Sequence, residues 1–247
     1  IQAERDWRQQ KAGIYVVLLD EFNLAAPEYY FSQLLQALPS DDPAREVVLY
    51  DGTAGPADGF PRRVTLNPNL RFWGTINYDE TTERLSARTL DRTGMIFLGT
   101  GDVKPSLEEE AAPMPGVAAS DVFGRFLRTD EQCPDDRWEL ALRVIDFLRS
   151  PDATLGPRVE VSPRVRKAIK RYLANSTDVL PAAAAVDFVV QQRILPVVRG
   201  RGDEFLTRMS RLQQLLADAN LPRSALHVEE SLRRSRHQFG ELDFLTY

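Results

Sequence analysis

The feature that most constrains this chain is an apolar run at residues 14–19, IYVVLL, that ends on two adjacent carboxylates, Asp20 and Glu21. A β-branched and leucine-rich run with no alternation reads as a strand buried on both faces of a parallel sheet. A helical pattern follows almost at once. Pro27 suits a first turn, and Phe31, Leu34, Leu35 and Leu38 recur at helical spacing as far as Pro39. In open α/β sheets, ligands bind beyond the carboxyl ends of the strands, which is where these two acids fall. An unpaired buried charge is costly, so such groups pair, bind metal or reach water. One acid that holds Mg2+ and a second that polarises a water would serve phosphoryl transfer. The plainer alternative stays open: Asp20 starts a turn and Glu21 is solvated.

Residues 1–10 are charged and read as helical. Residues 46–51 and 62–66 are strand-like and flank a Gly/Pro-rich stretch, GTAGPADGFP, so they predict a β-hairpin with a long tip able to touch a partner. Residues 71–77, RFWGTIN, predict a second buried strand that ends on Asn77. A short helix at residues 86–91 and a third short strand at 95–98 complete an α/β order. Residues 104–120 form a linker; Glu108, Glu109 and Glu110 within it read as a solvated loop. No strand is predicted after residue 121. Trp138, Ala141, Leu142, Ile145 and Leu148 have helical spacing, as do Val165, Ile169 and Tyr172, and later Phe205, Met209, Leu212 and Leu216. An apolar helix at 182–195 stops near Pro196, and an Arg-rich pattern covers 224–239. The fold expected is thus an α/β part at residues 1–103, and at 121–247 an all-helical bundle of four or five helices.

Composition narrows the function classes. The net charge of −5 advertises no global basic surface for nucleic acid, although a local basic groove stays open. Arg233, Arg234 and Arg236 read as a solvated helix face rather than a phosphate contact. No run approaches the ~18–20 apolar residues of a membrane span, so no membrane partner is expected. The single Cys133 rules out an internal disulfide and points to a reducing, cytoplasmic compartment. His227 and His237 lie in a polar stretch and read as solvated rather than metal-bound.

Three stretches taken together, VVLLDEFNLA, FWGTINYDETTERLSARTLDRTGMIFL and VVQQRILPVVRG, resemble the AAA+ ATPases of the McrB-like and MoxR-like branch, with McrB-like ATPases of modification-dependent restriction systems looking nearest. The resemblance covers most of residues 14–200 and implies a partial AAA+ P-loop NTPase core, a parallel sheet with helices, followed by a helical lid. It matches Asp20 to the Walker B aspartate that orients Mg2+, and Glu21 to the Walker B glutamate that activates water. Asn77 matches the sensor-one residue. Arg92 matches the arginine finger offered to a neighbouring subunit's nucleotide, with Arg88 a weaker candidate for that task. No G-x-x-x-x-G-K-[ST] occurs in the chain. In the family that loop lies upstream of Walker B, so the chain reads as starting too late to contain it. A central strand would be missing too, leaving apolar surface and backbone exposed at a gap. The sensor-two arginine is unassigned; Asp187, Arg193 and Arg199 lie near where it would fall.

The resemblance implies an ATP- or GTP-hydrolysing, Mg2+-dependent motor, working as a ring with copies of itself or with a missing N-terminal half. DNA and a nuclease subunit are the further partners it implies. The second reading is a non-catalytic module that docks on a partner carrying the P-loop half. A metal-dependent nuclease is disfavoured, because no lysine completes an acid–acid–lysine cluster at these strand ends.

Overall fold

The computed structural model describes residues 2–9, 13–38, 45–50, 61–77, 82–98, 128–235 and 241–245. Its first part runs in order through α1 (Gln2–Arg8), β1 (Tyr15–Leu19), α2 (Pro27–Tyr30), α3 (Ser32–Ala37), β2 (Glu46–Val48), β3 (Arg63–Thr65), β4 (Leu70–Gly74) and α4 (Ala87–Leu90). β1 and β4 pair in parallel, from Tyr15 opposite Leu70 to Leu19 opposite Gly74. β2 and β3 pair antiparallel, so the predicted hairpin forms, with the tip at 51–60 outside the described residues. The helix predicted after the acids is two pieces, interrupted at Phe31, whose ring packs edge-on against Phe22 at 5.3 Å and Phe72 at 5.7 Å.

β1 is not the doubly buried strand its composition predicts. Val16 is 56% exposed and Leu18 64%, and Trp73 on β4 is 56% exposed. Among the described residues the sheet has only these two strands; Leu19 and Phe72 pack on the cluster of Phe22, Phe31 and Leu35, while Val16, Leu18 and Trp73 are left uncovered. Apolar content identified a strand; burial depends on neighbours that a local run cannot encode. Residues 95–98, predicted as a third strand, are not in a strand. Instead the Met95 N–H donates to the Gln192 carbonyl at 2.9 Å.

The helical part holds the larger core. It comprises α5 (Asp135–Arg149), α6 (Pro163–Asn175), α7 (Ala182–Val189), α8 (Asp203–Asp218) and α9 (Pro222–Ser235). Ile145 and Leu148, Ile169 and Leu173, Val186 and Val189, Met209 and Leu212, and Val228 are all fully buried in it. α7 passes into a π turn at Val190–Ile194 and a 3-10 turn at Leu195–Val197. Pro196 has no N–H to give the carbonyl four residues back, that of Gln192. That is the carbonyl Met95 takes, so the helix breaker supplies a join between the two parts.

Two strands that the sequence did not predict close this half: β5 (Arg199–Arg201) pairs antiparallel with β6 (Glu241–Asp243). His227, expected in solvent, is only 6% exposed. Its Nε2 lies 3.0 Å from the Phe244 carbonyl and its ring meets Phe97 edge-on at 4.5 Å. Burial pushes its pKa down, against the opposing pull of the Phe244 carbonyl. Asp187, on α7, caps α9. Its carboxylate accepts from the Arg223 N–H at 2.9 Å and the Ser224 N–H at 2.8 Å. Arg208, fully buried, donates to five main-chain carbonyls of the α5 C-terminus and the segment after it: Phe147, Leu148, Ser150, Leu155 and Gly156. The linker at 104–120, Arg236 and His237 lie outside the described residues. Among the described residues no helix is long and apolar enough to cross a membrane.

Candidate functional site

Parallel pairing of β1 with β4 makes their carboxyl ends emerge side by side, so residues 20–23 and 75–77 form one surface. Thr75 joins them. Its N–H donates to the Leu19 carbonyl at 3.0 Å, and its carbonyl accepts from the Phe22 N–H at 2.8 Å. Its hydroxyl donates to Asp20 Oδ1 at 2.5 Å and accepts from the Glu21 N–H at 2.9 Å. Glu21 has φ +50°, a left-handed conformation that costs a non-glycine residue about 1–2 kcal/mol. The Thr75 contacts on either side hold it there. Gly74 contributes by lacking a side chain: a Cβ would stand 3.0 Å from Phe22 Cβ, so glycine lets the chain fold back over the strand end.

Asn23 is the buried pivot of the site, 1% exposed. Its Nδ2 donates to the carbonyls of Asn77 at 2.7 Å and Glu83 at 3.0 Å, and its Oδ1 accepts from the Asn77 N–H at 3.2 Å. The Thr82 hydroxyl also donates to the Asn77 carbonyl, at 2.8 Å. The backbone of Asn77 is therefore fixed by side chains while the residue itself stays exposed, as do Asp20 and Glu21. Three of the sequence-predicted site residues, Asp20, Glu21 and Asn77, thus share one polar cluster. Thr75 and Asn23 were missed by sequence reasoning. The available signal was their position, each within three residues of a predicted site residue on a strand end.

The arginines lie elsewhere on the same part. Arg92 Nε donates to the Leu35 carbonyl and Nη1 to the Arg88 carbonyl, each at 2.8 Å, and Asp91 is 3.9 Å away. Its side chain is 12% exposed, so the proposed finger is folded onto its own chain; Arg88 is exposed. Burial, with the charges of Arg164 and Arg88, pushes the Arg92 pKa down, against the pull of Asp91. Asp91 in turn accepts from the Ser162 hydroxyl and from Arg164 Nη1 at 2.7 Å, which ties the end of α4 to the start of α6. The half-buried Arg193 guanidinium lies against Gly94 and is drawn to Asp91. Arg199 donates to the Leu85 carbonyl at 3.1 Å and lies 3.8 Å from Asp243. At the other end of α4, Ser86 caps the helix, and the hydroxyls of Ser86 and Thr89 both donate to Glu28. Burial raises the Glu28 pKa, but these hydroxyls prevail and hold it below the usual range.

Chemically, the strand ends offer two exposed carboxylates and the exposed Asn77 side chain on an anchored backbone. Mg2+ is usually bound through one or two carboxylates plus phosphate oxygens and waters, so Asp20 and Glu21 fit that ion in kind and number. Among the described residues no three His, Cys, Asp or Glu side chains converge as a metal-binding group. The Gly-rich G-x-x-x-x-G-K-[ST] motif that cradles nucleotide phosphates does not occur in the sequence.

Residues 121–239 match the model of a domain of unknown function, DUF8727, a stretch that contains all five α-helices found among the described residues of the second part. No curated protein and no solved structure matches the chain.

Proposed function

We propose that this chain is part of an AAA+ motor of the McrB-like kind that hydrolyses ATP or GTP with Mg2+, in a DNA restriction or defence system. The observation that supports this reading is the cluster at the strand ends, in which Thr75 and Asn23 hold Asp20, Glu21 and Asn77 on adjoining segments. In that role Asp20 would hold Mg2+, which when bound offsets charge on the phosphates. Glu21 would accept a proton from the attacking water, and Asn77 would orient that water. Arg92 or Arg88 would serve a neighbouring subunit's nucleotide, because a guanidinium stays charged and forks onto phosphate oxygens. For Arg92 this requires giving up the Leu35 and Arg88 carbonyls, whereas exposed Arg88 needs no such release. The phosphate cradle would come from residues outside this chain's sequence.

The test is phosphate release by the complete assembly carrying Glu21→Gln. Nucleotide binding should persist while turnover falls by about 100-fold or more, the scale on which loss of one transition-state contact is felt. Normal turnover in that variant sinks the assignment.

A second reading, a docking module without catalysis, is favoured by a different observation. Val16, Leu18, Trp73, Ile96 and Leu98 are all more than half exposed on the α/β part. Apolar surface of that kind marks interaction sites. On this reading the P-loop half belongs to the partner, and Glu21→Gln leaves the partner's turnover unchanged.

A further inference from the structure

α5 and α8 leave an open cleft of about 490 Å³, lined by Arg143 of the first and by Arg211, Gln214, Leu215 and Asp218 of the second, with Ala219 where α8 ends. On α8 these positions recur at three and four residues, so one face of the helix forms the wall. The cleft falls within the stretch matched by the DUF8727 model.

Arg143 and Arg211 are exposed, and among the described residues no hydrogen bond or ion pair holds either guanidinium. Other arginines of this half are engaged: Arg128 on Asp178, Arg137 on the Leu180 carbonyl, Arg149 on Glu160 and Arg208 on the carbonyls described above. The acids around the cleft do not neutralise the pair. Glu139 and Asp146 flank Arg143 at helical spacing on α5, yet neither is paired with it. Asp152 feels the charge of Arg211, but its Oδ1 accepts from the Thr154 N–H at 2.9 Å and from the Thr154 hydroxyl at 2.7 Å. Asp218 is two turns along α8 from Arg211, about 10 Å at 1.5 Å per residue.

We propose that this cleft binds a phosphate monoester, with its phosphate on Arg143 and Arg211 and its organic part on Leu215 and Ala219. Guanidinium forks match phosphate oxygens and take them two at a time. Two cations suit a group that carries about −1.5 to −2 charge at pH 7 and three acceptor oxygens. A carboxylate brings one charge and two oxygens, so it satisfies the pair less well. Leu215 and Ala219 are half-buried and give apolar contact that bare phosphate leaves unused, and the exposed Gln214 amide adds a donor. The volume lies in the range of about 300–1,000 Å³ usual for small-molecule sites. The inference rests on no part of the hydrolysis reading, whose acids lie on the other part of the chain.

The experiment is titration of the full chain with phenyl phosphate at low salt, followed by amide NMR. Saturable shifts should map to α5 around Arg143 and to α8 from Arg211 to Ala219, with a dissociation constant of about 1 mM or tighter, the scale of two charge-assisted contacts. Arg143→Gln and Arg211→Gln should each weaken binding by about 10-fold. Asp218→Asn should tighten it about 2-fold, the effect in water of removing a like charge about 10 Å away. All three positions are exposed, so the fold tolerates the changes. Inorganic phosphate and phenol should each bind more weakly than phenyl phosphate, since each keeps only part of the contacts. The proposal is overturned if no saturable shift appears at millimolar phenyl phosphate, if the shifts map elsewhere, or if both arginine variants bind like wild type. Benzoate binding as tightly overturns it in favour of a carboxylate site, and inorganic phosphate binding as tightly overturns it in favour of a bare anion site. Vesicles of phosphatidylcholine with phosphatidic acid separate a lipid phosphate from a soluble one. No co-sedimentation is expected, because α5 and α8 turn Val144, Leu148, Met209 and Leu212 into the core. Co-sedimentation without a response to phenyl phosphate overturns the proposal in favour of a membrane surface.

Discussion

Arg208 offers the sharpest test of the packing described above. Its side chain is fully buried among main-chain carbonyls, and its five hydrogen bonds run from 2.9 to 3.1 Å. Three of the acceptors, Phe147, Leu148 and Ser150, belong to the end of α5, where a cation is favoured; the Phe147 and Leu148 carbonyls also accept from the Ser150 and Val159 N–H groups. The perturbation is Arg208→Met, which keeps the aliphatic stem and removes the guanidinium. A net contribution of about 1.5–3 kcal/mol per hydrogen bond to a charged group would overcount, because five bonds share one cation. Burying that cation also costs several kcal/mol. The Ser150, Leu155 and Gly156 carbonyls would each be left short of a donor at about 1–3 kcal/mol, partly offset by the cation burial no longer needed, and we expect Arg208→Met to cost about 3–5 kcal/mol. Arg208→Lys should fall between, since an ammonium has three donors for five acceptors. Urea unfolding followed by circular dichroism reads the difference in midpoint, and hydrogen exchange across residues 150–156 reads the local effect. A loss under about 1 kcal/mol for Arg208→Met, the worth of one ordinary hydrogen bond, would refute the reasoning.

Two further predictions concern other buried polar groups. Asn23→Ala should cost about 2–4 kcal/mol by leaving the Glu83 carbonyl and Asn77 N–H without their partner. Asn23→Asp should cost more, since it turns an acceptor toward two carbonyls; wild-type melting of the Asp variant would count against the geometry. His227 makes stability depend on pH. Burial lowers its folded pKa below the unfolded value near 6.5, so the unfolded chain binds the extra proton first. Its contribution is complete above pH ~6.5 and is lost as pH falls toward the folded value, at no more than about 1.4 kcal/mol per pH unit. Melting temperatures at neutral and mildly acid pH, measured beside those of His227→Gln, should show a smaller acid loss in the variant; equal losses would remove His227 as the cause.

Much of the α/β part could be read from sequence because its signals are local. The apolar run of β1, the Asp20–Glu21 pair, the hairpin flanks and Ser86 at the start of α4 each carry their own physical reason. The helices of the second part announced themselves by period. What was hidden depends on partners distant along the chain. β5 and β6 are three residues each and pair across some forty positions, so neither has a pattern of its own. Arg208 and His227 sit on helices where a polar residue reads as surface; only the assembled carbonyls and rings around them make burial tolerable. Arg92 was legible as a cation at a helix end, but its two carbonyl partners come from Leu35 and Arg88, and the sequence holds no mark of that embrace.

The bonds around α4 have a mechanical consequence. At one end of this single turn of helix, Ser162 and Arg164 grip Asp91; at the other, Ser86 and Thr89 grip Glu28 on α2. Tyr30, two residues further along α2, donates its hydroxyl to the Phe22 carbonyl, next to Glu21, at 2.5 Å. The helical part and the acid pair are therefore linked through a short train of directional bonds, beside the packing of Val197 and Leu245 on the cluster of Phe22, Phe31 and Leu90. A rotation of the helical part has to break Asp91's grip or carry α4 with it, and the far end of that train is the backbone beside Glu21.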